Sequence, residues 1–311
     1  MREEVRDGFE FVSMFYPFYR KDAIKVVVDR RTTEDYQEYI REHGIEKAEL
    51  IMPNLKILQH CPSLKYLKIC PSYNAPAQFD FSPLYEMSEI KSLNCQNRYG
   101  NREQYFSELD YSKLHGLIDL FIGVNKDTLN YNKVETLKSM SVGGFKGKNK
   151  DLSDLFCSKE LDTLSLVQCG IYSLNGIDTS QKMQCLYLHY NRALQDISAL
   201  SKVKDTLKAL RIENCPKIKD FSVLGELDHL ELLELSGNNV LPSLDFLKTM
   251  KSLKTFTFSM NILDGDLSAC MDLSYVYSEK DRKHFNLKDK ELPKGNYVRG
   301  NEDIEEWRRL E

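Results

Sequence analysis

Between Leu161 and Asn261 the chain repeats one arrangement of apolar and polar positions. The segments "LDTLSLVQC", "MQCLYLHYN", "LKALRIENC", "LELLELSGN" and "LKTFTFSMN" begin at Leu161, Met183, Leu207, Leu230 and Leu253, with spacings of 22, 24, 23 and 23 residues. Each carries apolar residues at positions 1, 4 and 6 and Asn or Cys at position 9. Weaker copies begin at Ile45, Leu64, Ile90, Leu117 and Leu137, and a last one at Met271, making about eleven. Alternation over positions 3 to 7 predicts a short strand with positions 4 and 6 facing a core and positions 3, 5 and 7 facing the other way. One repeat cannot bury its apolar edge alone. Stacked repeats do, each strand lying beside the next in a parallel sheet.

The second half of the repeat narrows the reading. "FDFSPL" (79–84), "LQDISAL" (194–200) and "IKDFSVL" (218–224) share an apolar-x-Asp-apolar-Ser-x-Leu pattern. Together the two halves resemble the leucine-rich-repeat family over roughly residues 45–278, and within it the bacterial, internalin-like, 22-residue class. The resemblance implies an α/β, β-rich chain: a curved leucine-rich-repeat solenoid with a parallel concave sheet and short 3₁₀ or irregular convex segments. It also implies non-catalytic protein–protein recognition through the concave face.

Where the chain leaves each strand, buried backbone groups need partners. An Asn side chain supplies both a donor and an acceptor, and Cys is a partial substitute. The expected structural ladder at position 9 is Asn125, Cys169, Asn191, Cys215, Asn238 and Asn261. The weaker copies depart from it with Pro53, Ser72, Arg98 and Phe145, and their spacing stretches to 26 and 27 residues from Leu64 to Ile90 to Leu117.

The ends do not repeat. Residues 1–44 are read as an N-terminal cap, with a strand over "AIKVVVD" (23–29) and a helix over "TTEDYQEYIREHG", capped by Thr and stopped at Gly44. Residues 279–311 are read as a C-terminal cap or tail, with a short helical pattern "NEDIEEWRRL" around Trp307.

Composition changes this picture little. With 41% hydrophobic and 29% charged residues and a net charge of −4, the chain has no global basic footprint for nucleic acid. It has no run of about 18 apolar residues and no apolar N-terminal stretch of the secretory kind, so a cytoplasmic, monomeric protein with reduced thiols is expected. No Cys-x-x-Cys and no His-Glu-x-x-His occurs, so no metal, cofactor or catalytic constellation is expected. "VGGFKGKNK" (142–150) matches a phosphate-binding loop only at Gly147 and Lys148. An enzyme or nucleotide-binding protein using loops 96–116 and 142–150 is the alternative class.

The candidate chemistry is then the face made by positions 5, 7 and 8. Two zones stand out: Tyr187, His189, Tyr190, Arg211 and Glu213 on neighbouring strands, and Tyr275 with Tyr277 near the end of the repeats, with Phe121 earlier. Tyr and Arg supply large contact area with a polar handle, which is why interfaces use them. Cys185 and His189 lie in the same segment, but on one strand they stand about 13 Å apart with Tyr187 between, too far to share a metal. The partner expected is another protein, met by an intracellular adaptor or an inhibitor or immunity-type binder.

Overall fold

The structure, a computed structural model, describes residues 3–13, 22–27, 30–76, 78–95, 106 and 108–298. The chain divides into two compact units, residues 1–140 and 141–311.

The first unit opens with an antiparallel hairpin of β1 (Glu3–Arg6) and β2 (Phe9–Ser13). Its turn is Asp7-Gly8, with both residues at positive φ, 51° and 81°, as a two-residue turn matched to strand twist requires. β2 pairs antiparallel with β3 (Asp22–Val27), and from β3 onward every ladder is parallel. β4 (Lys47–Ile51), β5 (Tyr66–Ile69), β6 (Ser92–Asn94) and β7 (Asp119–Gly123) follow in order. Between β3 and β4 runs α1 (Thr33–Glu42), closed at its start by a capping box in which Thr32 and Asp35 bond each other's backbone N–H. Tyr39 of α1 stacks on Phe9 at 3.9 Å, fixing the helix to the hairpin. A one-turn helix, α2 (Ser82–Tyr85), lies between β5 and β6.

The division between units falls within β8 (Ser139–Gly143). The second unit continues with β9 (Thr163–Val167), β10 (Cys185–His189), β11 (Ala209–Glu213), β12 (Leu232–Ser236), β13 (Val240–Leu241), β14 (Thr255–Phe258), β15 (Asn261–Ile262) and β16 (Tyr275–Ser278). β9, β10, β11, β12, β14 and β16 form one parallel ladder in that order, while β13 and β15 pair separately. Positions 1, 4 and 6 of the five strong repeats, from Leu161 to Phe258, are all buried, none more than 6% exposed. Each such aliphatic side chain contributes about 1.5–3 kcal/mol by leaving water. The ladders align position 3 with position 3 throughout, with one exception to the expected register. Tyr275 pairs with Thr255 and Tyr277 with Thr257. The last repeat therefore begins at Leu273, two residues later than its apolar pattern indicates, and Tyr275 and Tyr277 occupy positions 3 and 5. Met271 misleads because it is apolar yet half exposed, inside the 3₁₀ turn Ser268–Asp272.

The return segments are 3₁₀ turns, several of them opened by Asp-x-Ser. The carboxylates of Asp80, Asp110, Asp151, Asp196, Asp220 and Asp266 accept the N–H of Ser82, Ser112, Ser153, Ser198, Ser222 and Ser268 at 2.8–3.1 Å. These bonds favour the charged form, and Asp80, Asp110, Asp220 and Asp266 are held below the usual carboxylate value of 3.8 by their serine partners. A depressed folded value means the contribution is present above the unfolded value and lost as pH falls through the folded one. Urea midpoints should therefore fall as pH drops below about 4, and an Asp220→Asn, Asp266→Asn double variant should show a shallower fall. An unchanged slope in that variant would remove these turns from the acid response.

Candidate functional site

Position 8 of the second unit's repeats has a special backbone. Gly144, Gln168, Tyr190, Asn214 and Gly237 all have positive φ. In the first four the N–H donates to the position-7 carbonyl of the next repeat, as Tyr190 does to Glu213 at 2.8 Å. The strand ends in a left-handed turn, and at Tyr190 (φ 56°) this leaves the ring 41% exposed at the rim of the face.

Behind that rim, β10, β11 and β12 place Tyr187, Arg211 and Glu234 in one row and His189, Glu213 and Ser236 in the next. The Arg211 guanidinium lies 5.2 Å from the Tyr187 ring centroid, and its Nε is 3.3 Å from Glu234 Oε2. His189 Nδ1 is 2.9 Å from Glu213 Oε2. The Arg211–Glu234 ion pair and the His189–Glu213 hydrogen bond both join side chains near 30% exposed, so each contributes modestly to stability. Their effect is to fix the directions of long side chains across three strands. Glu234 joins the group by register and was not singled out by residue type.

Two side chains expected on the open face are closed to water. Tyr187 is 5% exposed, in a buried cluster with Cys185, Ala209 and Leu232, and burial holds its phenol well above the usual value. Phe121, in the first unit, is 2% exposed, in register with the equally dry Asn94. Alternation sets which face a residue joins, not whether that face meets water. Tyr277 is open at 44%, whereas Tyr275 is half-buried beneath Tyr297, whose ring meets it edge-on at 5.1 Å. Lys294 Nζ lies 5.7 and 5.5 Å from the two tyrosine centroids and is tied to Val276 O and Asp289 Oδ1 at 2.7 Å. Lys294 and Tyr297 carry no repeat signal; only their place beyond the last strand could have drawn attention to them.

The ladder is real but only partly where position 9 puts it. Asn191 Nδ2 donates to Leu166 O (2.9 Å), and its Oδ1 accepts the Cys169 N–H (2.8 Å), fully buried. The thiols of Cys169 and Cys215 make the equivalent bond to Val142 O and Leu188 O, at 3.6 and 3.7 Å. Burial pushes both thiols up to about 11, so they stay protonated donors rather than nucleophiles. Asn238 is exposed; the neighbouring Asn239 is buried and makes different bonds, donating to Cys215 O and Ile218 O at 3.0 and 2.9 Å. The shift follows from Gly237, whose N–H turns to Ser259 Oγ instead of a position-7 carbonyl and whose φ is 129°. Asn125 closes its own turn: its Oδ1 accepts the Asp127 N–H and the Thr128 hydroxyl, and its own N–H donates to Thr128 Oγ1. Asn261 is half-buried in β15, its N–H on Asn239 O.

In loop 142–150 the Lys148 N–H donates to Asp154 Oδ2 at 3.2 Å, so a carboxylate occupies the place a phosphate would need. Of the other loop, residues 96–105 and 107 lie outside the described residues, as does the helical pattern around Trp307. Among the described residues no helix is long and apolar enough to cross a membrane.

No protein-family model matches the chain, and no curated protein matches it. Solved structures do. An internalin (inlF) from Listeria monocytogenes is similar with a TM-score of 0.53 at 15% identity, over 82% of this chain and 73% of that one. An internalin C2 of the same organism gives 0.40 at 18%, over 68% and 77%. A chain of the Toll–Spatzle complex, from Drosophila, gives 0.51 at 13%, over 88% of this chain and 38% of that one. The fold is therefore the leucine-rich-repeat solenoid of internalin-like proteins.

Proposed function

We propose that the protein is a non-catalytic recognition module that binds another protein through the open sheet face of its second unit. The observation that carries this is the group Tyr190, His189, Arg211, Glu213 and Glu234. Its side chains are solvent-accessible, of the types interfaces favour, and already aligned by a cross-strand ion pair and a cross-strand hydrogen bond. None of them belongs to the core or to the backbone ladder, so the fold does not require their identities. One similar chain belongs to a complex of two proteins, Toll and Spatzle, which supports a protein rather than a small molecule as ligand. The role we infer is that of an adaptor or an inhibitor or immunity-type binder inside the cell.

Tyr190→Ala and Arg211→Glu test the reading, because both sites are accessible. Each should weaken a captured partner by about thirtyfold, or ~2 kcal/mol, with thermal unfolding little changed. Undiminished affinity in both variants would move the interface elsewhere. Tyr187→Ala is the wrong probe. Its ring is buried, so a loss of binding there would be confounded with a loss of packing.

A further inference from the structure

β1 is the first strand of the long sheet, and among the described residues its one neighbouring strand is β2. The hairpin fixes which of its backbone groups look outward. Across the two-residue turn Asp7-Gly8, Arg6 and Phe9 are the bonded pair. Bonding alternates along the ladder, so Glu4 also bonds to β2 through its pair with Phe11, while the N–H and C=O of Val5 point to the open edge. The Val5 side chain is 65% exposed there, on the opposite face from Glu4 and Arg6.

The residues on either side of Val5 carry opposite charges and are held in place. Arg6 Nε and Nη2 donate to Glu4 Oε1 and Oε2 at 3.0 and 2.8 Å, and the Arg6 guanidinium lies 4.6 Å from the centroid of the Phe11 ring. Charge usually blunts an edge strand, because like charges meet when two identical edges approach. Here they do not. We propose that β1 pairs antiparallel with β1 of a second copy of this chain, about a twofold axis that sets Val5 opposite Val5.

In that register the outward groups of the two valines exchange two backbone bonds. Glu4 of each copy then faces Arg6 of the other in the closer, non-bonded pair. Such self-complementarity of one patch is what a twofold interface requires. The competing registers fail on the same grounds. Centring the pair on Glu4 or on Arg6 puts equal charges face to face, and a shift of one residue sets the outward groups of Val5 against inward ones. A four-residue edge buries little area, so the dimer is weak and depends on concentration. It replaces the monomer that the sequence suggests, and it uses none of the residues of the recognition face proposed for the second unit.

Sedimentation of the full chain should show the average mass rising from one chain toward two as concentration increases. Val5→Pro removes the outward N–H and leaves the bonds to β2 intact, so it should weaken association by about tenfold or more. Glu4→Arg and Arg6→Glu each set like charges across the axis and should weaken association to a similar extent. An equimolar mixture of those two variants should associate as well as the wild-type chain, because opposite charges meet again at both positions. A wild-type chain that stays monomeric at every concentration, a result that needs no variant, would overturn the inference. A dimer that persists in Val5→Pro would place the contact elsewhere and overturn it too, and a mixture that stays monomeric would refute the register.

Discussion

Asn191→Ala should lower the unfolding free energy of the second unit by about 3 kcal/mol, read from the midpoint of its urea transition. The side chain is dry and makes one bond in each direction, to Leu166 O and from Cys169 N–H. Truncation strands both backbone groups without admitting water, and each buried, unsatisfied group costs about 1–3 kcal/mol. Asn191→Cys should fall between wild type and alanine. A thiol can donate to Leu166 O, as Cys169 and Cys215 donate to the equivalent carbonyls, but it accepts the Cys169 N–H poorly. Asn239→Ala should cost about 2 kcal/mol, because one donor group serves both Cys215 O and Ile218 O. Asn238→Ala, at an exposed residue, should stay within about 0.5 kcal/mol. If Asn238→Ala proved as costly as Asn239→Ala, the displaced turn at Gly237 would be wrong.

That pair of asparagines marks the limit of what periodicity conveys. Strands, core positions and the face of Arg211 and Glu213 follow from alternation, because a period of two is a local property of extended backbone. The ladder residue after β12 does not follow, since it depends on how one glycine turns and where its N–H finds an acceptor. The register of β16 was misread for a similar reason: Met271 satisfies the apolar pattern while the strand starts from Leu273. The N-terminal hairpin carries its own local signal, Asp7-Gly8 between alternating residues, and stands outside the repeat period. Of the candidate site, residue types were readable and exposure was not. Tyr187 and Tyr190 are alike in sequence, three residues apart, yet one is buried within a cluster and the other is held outward by a left-handed turn.

Gly176 allows the sharpest separation between pattern and geometry. Aligned by the bridge between Ser173 and Asp196, its position holds Ala199, Val223 and Phe246 in the repeats that follow, so Gly176→Ala looks like a return to the pattern. The structure predicts the reverse. Gly176 has φ +92°, and a Cβ there would sit 2.6 Å from Ser153 N and 2.8 Å from Leu152 C. Those atoms belong to the backbone of the preceding repeat, which is fixed by the Leu152 N–H bond to Asn175 O at 2.8 Å and cannot yield as a flexible side chain would. The turn's own Asp-x-Ser counterpart is already made, the Asn175 N–H donating to Ser173 Oγ at 3.4 Å. An alanine at 176 therefore brings backbone strain and overlap with no compensating bond. The variant should lose about 3 kcal/mol or more of stability. Gly44→Ala is the control for conformation alone: its φ is +56°, and a Cβ there meets nothing within 4 Å. It should cost about 1 kcal/mol. Equal losses at the two glycines would mean that the contact with Ser153 does not constrain the stack; a stabilised Gly176→Ala would mean that the repeat pattern, not this turn, governs the site.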